Sequence, residues 1–167
     1  VTFDYQGDLA QGELSVSLAV FKIDTETLWP SIQFDRFTTI VVDPEENKEG
    51  GSFQIYWEKG VGNDITLSLR SSYDDIHRSS DLFEWNSDNF DFDSEITYSG
   101  LMNQEIRIGA NTRFSGSEFI NKGGFSLTIT PEKDHLENLS LFIQDEISLN
   151  QGLRLILGAR YEDSTLG

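Results

Sequence analysis

The stretch LSLFIQDEISLNQGLRLILGARYEDS, Leu139 to Ser164, decides how the rest of the chain is read. Two runs of similar length meet at Asn150-Gln151-Gly152, and in each run apolar residues recur at every second position. Period two is the signature of a strand with one apolar face, and a Gly-containing turn between two such runs predicts a β-hairpin. Leu139, Leu141 and Ile143 share a face, while Arg154 and Arg160 take the opposite face from Leu155 and Leu157. Asp145 is the exception, because unbroken alternation carries it onto the apolar side.

The same split extends outward along the chain. Ile65, Leu67, Leu69 and Tyr73 oppose Thr66, Ser68, Arg70 and Asp74; Phe53, Ile55 and Trp57 oppose Gln54 and Tyr56. Leu14, Val16, Leu18 and Val20 continue the pattern, although Phe21 and Ile23 fall on the polar face of that strand. Phe90, Phe92, Ile96 and Tyr98 oppose Asp91, Asp93 and Glu95, and Ile106, Ile108 and Phe114 oppose Arg107 and Arg113. Short turns are expected at Gly7–Gly12, Gly60–Asn63, Gly100–Asn103 and Asn150–Gly152, alternating with longer loops at Thr25–Gly50, His77–Asp88 and Gly116–His135. GGFSLTIT, Gly123 to Thr130, reads either as strand extension or as loop. The expected fold is all-β, an antiparallel meander of about eight strands.

Composition narrows the function. The 167 residues suit one architectural unit. A net charge of −17, from 29 acidic and 12 basic residues, argues against a nucleic-acid partner. Cysteine is absent, which removes disulfides and thiolate metal sites. No apolar run reaches the roughly 18 residues of a membrane helix, and the N-terminal VTFDYQGDLA does not read as a signal peptide.

Soluble sandwiches also alternate, so the placement of aromatic residues matters. With the short turns taken as the periplasmic end, Trp57 and Tyr98 fall near it, and Phe53, Tyr73, Phe90, Phe114 and Tyr161 fall near the other. Aliphatic Ile55, Leu67, Leu69, Ile96, Ile108, Leu155 and Leu157 lie between. Two aromatic girdles around an aliphatic band are what a bilayer selects, and short turns opposite long loops is the asymmetry of outer-membrane barrels. These seven aromatics are the expected membrane-interface residues.

The opening hairpin resembles the barrel of TonB-dependent outer-membrane receptors, in which a Phe-x-Gln-Asp-Glu strand precedes a Leu-x-Leu-x-x-Gly-x-(Arg/Lys)-(Tyr/Phe) strand. The matching positions are Phe142, Gln144, Asp145, Glu146, Leu155, Gly158, Arg160 and Tyr161. GGSFQIYWEKGVGNDITLSLRSSYDD, from Gly50, and FDFDSEITYSGLMNQEIRIGANTRFS, from Phe90, are similar to further hairpins of that family. The resemblance implies a receptor of the bacterial cell outer membrane for active uptake of a scarce nutrient, most often a ferric siderophore. It further implies contact with membrane lipid and lipopolysaccharide, a small-molecule metal chelate as cargo, and coupling to the TonB complex through a plug. Plug, energy-coupling box and closing aromatic strand are not found in the chain, and both ends fall on the long-loop side. The whole chain is therefore expected to be one segment, 1–167, of a larger barrel.

No set of residues points to catalysis or to a cofactor. His77 and His135 read as solvated loop residues, and Asp88, Asp91, Asp93 and Glu95 as a charge stripe lacking the Gly and terminal Glu of a calcium loop. The acidic VVDPEENKEG, Val41 to Gly50, reads as a solvated loop or a contact for lipopolysaccharide-bridging cations. The candidate ligand contacts are cations on the polar faces, Arg113 and Arg160 toward the outer mouth with Arg70 and Arg107 below, set against pairing of these arginines, and of Arg154, with carboxylates such as Asp91, Asp93, Glu95, Glu105 and Glu162. Two other readings stay open to the sequence: a small self-contained outer-membrane barrel with a structural or adhesive role, and a soluble ligand-binding β domain.

Overall fold

β-branched and aromatic residues at alternate positions favour extended backbone, and the computed structural model, which describes residues 1–26, 29–33, 38–42, 45–122, 132–150 and 152–166, is strand almost throughout. The strands are β1 (Thr2–Leu9), β2 (Gly12–Glu26), β3 (Trp29–Gln33), β4 (Thr38–Val42), β5 (Glu45–Val61), β6 (Ile65–Ser80), β7 (Phe83–Leu101), β8 (Gln104–Asn121), β9 (Lys133–Asn150) and β10 (Leu153–Leu166). Eight of them form one antiparallel sheet in the order β1-β2-β5-β6-β7-β8-β9-β10, and β3-β4 is a separate hairpin inserted between β2 and β5. Gly123–Thr130 and Gln151 lie outside the described residues. No described helix is long and apolar enough to cross a membrane.

The sequence underestimates strand length at one end of the sheet. β6 and β7 run on to Ser80 and Phe83, so His77–Asp88 is a hairpin with a tight connection at Asp81-Leu82 and not a long loop. The Ser80 hydroxyl closes this tip by accepting from the Leu82 and Phe83 backbone N–H groups at 3.2 and 3.3 Å. β8 and β9 likewise extend into Gly116–His135, and Glu45 to Gly50 of the acidic stretch belong to β5. At the other end the short turns form where expected. Asn103 and Gly62 take positive φ there (62° and 70°), the conformation that Asn and Gly tolerate best. The first turn differs: Ala10 and Gln11 hold both left-handed positions, at 53° and 66°, and the glycines flank it. Gly12 instead makes room for the Trp57 indole, whose Nε1 donates to the Leu9 carbonyl at 3.0 Å.

Register places the aromatic residues in line. Phe3, Leu18, Phe53, Tyr73, Phe90 and Phe114 are successive cross-strand partners on one face. On the short-turn side of this row the face is apolar, and its central residue Ile96 is 49% exposed. On the other side it becomes polar at once. The next row reads Val20, Gly51, Asp75, Asp88, Gly116, His135, and the one after it Lys22, Glu49, His77, Asn86, Glu118, Lys133. Such a sharp border is what a hydrocarbon boundary imposes, since aromatic rings favour the headgroup level and charges avoid the band below.

The hairpins are staggered. Ile65 is level with Tyr98 and Ile106, two residues short of Gln104; Gln104 is level with Ile147 and Leu155, two residues short of Leu153. Each hairpin of two strands thus descends two residues beyond the one before. At about 3.4 Å rise per residue and 4.8 Å between strands, that slope is a tilt of about 35°, the tilt of strands in a closed barrel. Tilt accounts for two of the four residues by which Tyr161 lies lower in register than Phe114, and Tyr98 lower than Trp57.

Asp145 stays on the apolar face, because β9 pairs without a bulge from Leu136 to Ile147. On the opposite face Phe142 packs over Gly109, where a Cβ would stand 2.8 Å from the Ser94 carbonyl oxygen and run into the Phe142 ring. Gly109→Ala is expected to destabilise the sheet by about 1–3 kcal/mol, the usual cost of overpacking. Ile96→Arg, at the centre of the apolar band, is expected to cost about 2–4 kcal/mol in a bilayer. Urea titration of the barrel in lipid vesicles would read both, and an unchanged midpoint for Ile96→Arg would remove the membrane assignment of this face.

Candidate functional site

The face opposite the apolar band carries the arginines singled out from the sequence, and most of them are paired. Arg113 and Asp91 are direct partners across β7 and β8, and the Arg113 Nε donates to the Asp91 Oδ1 at 2.7 Å. Asn111 donates to Asp93 at 2.7 Å, and Asn138, opposite Arg113 on β9, donates to Glu162 at 2.7 Å. Arg160 lies 3.4 Å from the same Glu162. Arg107 donates to Glu105 at 2.7 Å and Arg154 to Glu146 at 2.8 Å. Arg70, between Tyr56 and Asp93 in register, makes no side-chain hydrogen bond or ion pair among the described residues. Exposed pairs of this kind contribute about 0–1 kcal/mol each. Their effect is to balance charge along a wet wall rather than to hold it together. The Ser140 hydroxyl lies fully buried in this wall without a hydrogen-bond partner among the described residues.

Beyond the aromatic row the two faces exchange character. The outer face becomes charged, and the inner face gains Phe21, Ile23, Ile76, Phe83, Trp85 and Phe119. Phe83 and Phe119 stack with ring centroids 5.7 Å apart and planes at 16°. The Arg78 guanidinium lies 5.9 Å from the centroids of both Phe83 and Trp85, and its Nε donates to Glu46 Oε1 at 2.7 Å. Glu46, Ser80, Leu82 and Phe83 are each only 7% exposed, so the small core of the described residues sits here, at the far tips of β5 to β8. A cleft of about 670 Å³ opens beside it, lined by Asp24, Glu45, Glu46, Asp81 and Lys122 among others.

This inner cluster was missed from the sequence, because His77–Asp88 and Gly116–His135 read as loops. Its signal was present in Phe21 and Ile23, the two apolar residues on the wrong face, and in the period-two pair Phe83 and Trp85. The histidines are strand residues: His77 on β6 bonds Asn86, and His135 lies on β9. Asp91, Asp93 and Glu95 share the inner face, whereas Asp88 stands on the outer one. Among the described residues no group of three or more His, Asp or Glu side chains is placed to hold a metal ion.

The family model described as TonB dependent receptor-like, beta-barrel matches residues 1–167. The chain belongs to the TonB-dependent receptor family. Comparison with curated proteins and with solved structures returned no match. Membership places the sheet in the bacterial outer membrane and assigns it to TonB-dependent nutrient uptake, in a family of receptors and transporters rather than enzymes. In a barrel of this family the apolar face is the lipid-facing wall, and the face with the paired arginines is the lumen.

The short turns mark the periplasmic side of such a barrel, so the Arg78 cluster stands above the membrane on the lumen side. Removing one partner of a buried charged hydrogen bond costs about 1–3 kcal/mol. Glu46→Ala is therefore expected to loosen the β5–β8 tips without unfolding the wall. Protease added outside intact cells should cut near Asp81 in the variant and spare the wild type, while both keep heat-modifiable migration in gels.

Proposed function

We propose that residues 1–167 form part of the wall of a larger TonB-dependent receptor that imports a ferric siderophore. The open edges of the sheet support the first half of this reading. β1 and β10 each pair on one side only among the described residues, and backbone groups facing hydrocarbon without partners cost several kcal/mol apiece. Neighbouring strands of the same barrel are the natural partners of both edges, and their tilt already matches closure.

The observation that carries the cargo assignment is the inversion of faces above the membrane. Aromatic residues on the lumen side of an outer mouth, exposed Phe21 and the cross-strand pair Trp85 and Phe119, offer stacking surfaces for the rings of an aryl-bearing chelate. Arg78 adds a cation that Glu46 orients, and a chelate carboxylate or phenolate would compete for it. Deeper in the lumen, Arg113 and Arg160 are the next cations on the route, while Arg70, without a carboxylate partner among the described residues, is assigned to contact with cargo or plug. Arg107, ion-paired near the periplasmic end, is assigned to the plug, through which TonB would act. On the outside, the row from Lys22 to Lys133 lies just above the aromatic row, at the level of lipopolysaccharide phosphates and their bridging cations.

The test is growth on ferric siderophores as sole iron source in cells whose only such receptor is this one. Trp85→Ala with Phe119→Ala is expected to weaken chelate binding about tenfold or more, as loss of about 1.4 kcal/mol requires, measured by quenching of tryptophan fluorescence. Absence of iron-dependent growth and of binding across catecholate, hydroxamate and carboxylate chelates would sink the siderophore assignment.

A further inference from the structure

Asp145 is a carboxylate on the lipid-facing wall. Ile143 and Ile147 flank it on β9, Ile106 faces it from β8 and Leu157 from β10. Its Oδ2 accepts a hydrogen bond from Gln104 Nε2 at 2.6 Å, and its Oδ1, shielded from water, has no partner among the described residues. A charged oxygen so placed is costly unless a cation reaches it. Its height is close to that of Trp57 at the periplasmic interface: Asp145 stands five residues before the end of β9 at Asn150, as Trp57 stands four before the end of β5 at Val61.

A second feature lies on the same wall. Ser94 and Ala110 stand in the row that carries Trp57, Leu69 and Leu141, and the missing side-chain volume leaves an apolar groove of about 380 Å³ between Leu67, Ile96 and Ile108. The Ser94 hydroxyl is turned to the Ala110 carbonyl at 3.5 Å, so the floor of the groove presents little polarity. From the Ala110 row to the Ile106 row is four residues, about 13 Å along a strand and close to half of a hydrocarbon core about 30 Å thick.

We propose that Asp145, Gln104 and this groove form a binding site for one phospholipid of the periplasmic leaflet, with its primary ammonium headgroup on Asp145 and an acyl chain in the groove. Charge selects the headgroup. A primary ammonium donates hydrogen bonds to the Asp145 carboxylate, once the flanking isoleucine side chains turn aside, and to the Gln104 amide oxygen; a quaternary ammonium has no N–H to give, and an uncharged glycerol headgroup brings no cation. The lipid would bridge β8 and β9 from outside, along a part of the wall where side chains leave space. This site rests on the outer-membrane placement of the chain and is independent of which cargo the receptor carries.

The experiment is native mass spectrometry of the intact receptor released from nanodiscs containing equal amounts of phosphatidylethanolamine, phosphatidylcholine and phosphatidylglycerol. The wild type is expected to retain phosphatidylethanolamine at least fivefold over either competitor. Asp145→Asn should bring that ratio to parity, and Ala110→Leu, which fills the groove, should lower total retention; heat-modifiable migration reports that each variant is folded. If Asp145→Asn does not fold, the comparison of ethanolamine with choline headgroups on the wild type still decides. Equal retention of the three lipids by the wild type overturns the proposal. So does unchanged preference in Asp145→Asn.

Discussion

Everything in this wall follows from one requirement, that no backbone N–H or C=O may face hydrocarbon unpaired. A sheet meets it within its own plane, and only side chains are then left to distinguish lipid from water. That is why a chain with a net charge of −17 can cross a membrane: within the band, Asp145 apart, alternation sends the carboxylates to one side and the aliphatic residues to the other. Charge balance on the lumen side is then a local matter, handled by neighbours such as Arg113 and Asp91, or Arg107 and Glu105.

The hydrocarbon border is equally physical. Below the row from Phe3 to Phe114 the outer face is greasy because lipid touches it; above, the same face is charged because lipid no longer does. With that pressure gone, the inner face is free to collect Phe83, Trp85 and Phe119 and to build the small core that the membrane-spanning part lacks. Packing and recognition therefore concentrate at the tips, where the strands stand clear of the bilayer.

What the sequence revealed, and what it hid, follows the same division. The alternation of Ile65, Leu67 and Leu69 was legible because one environment acts on each face for the whole run. The extension of β6 and β7 to Ser80 and Phe83 was not, since above the membrane both faces carry polar residues and the period disappears from view. Phe21 and Ile23 looked like errors of alternation and were in fact its inversion. The pairing of Arg113 with Asp91 needed register, which the turns fix only once their exact residues are known; at Ala10-Gln11 the turn avoided the neighbouring glycines. Asp145 was visible from the start, and its partner Gln104, 41 positions away in sequence, was not.

The order of strands also bears on how such a wall could change over time. Every neighbour in the main sheet is also a neighbour in sequence, save at β2 and β5, which pair directly while the β3-β4 hairpin leaves the sheet between them. An excursion of that kind can lengthen or shorten without moving a single register pair in the wall, and the entropic cost of a longer loop grows only slowly. At this excursion new surface can thus be grafted onto the receptor while the membrane-spanning frame stays as it is.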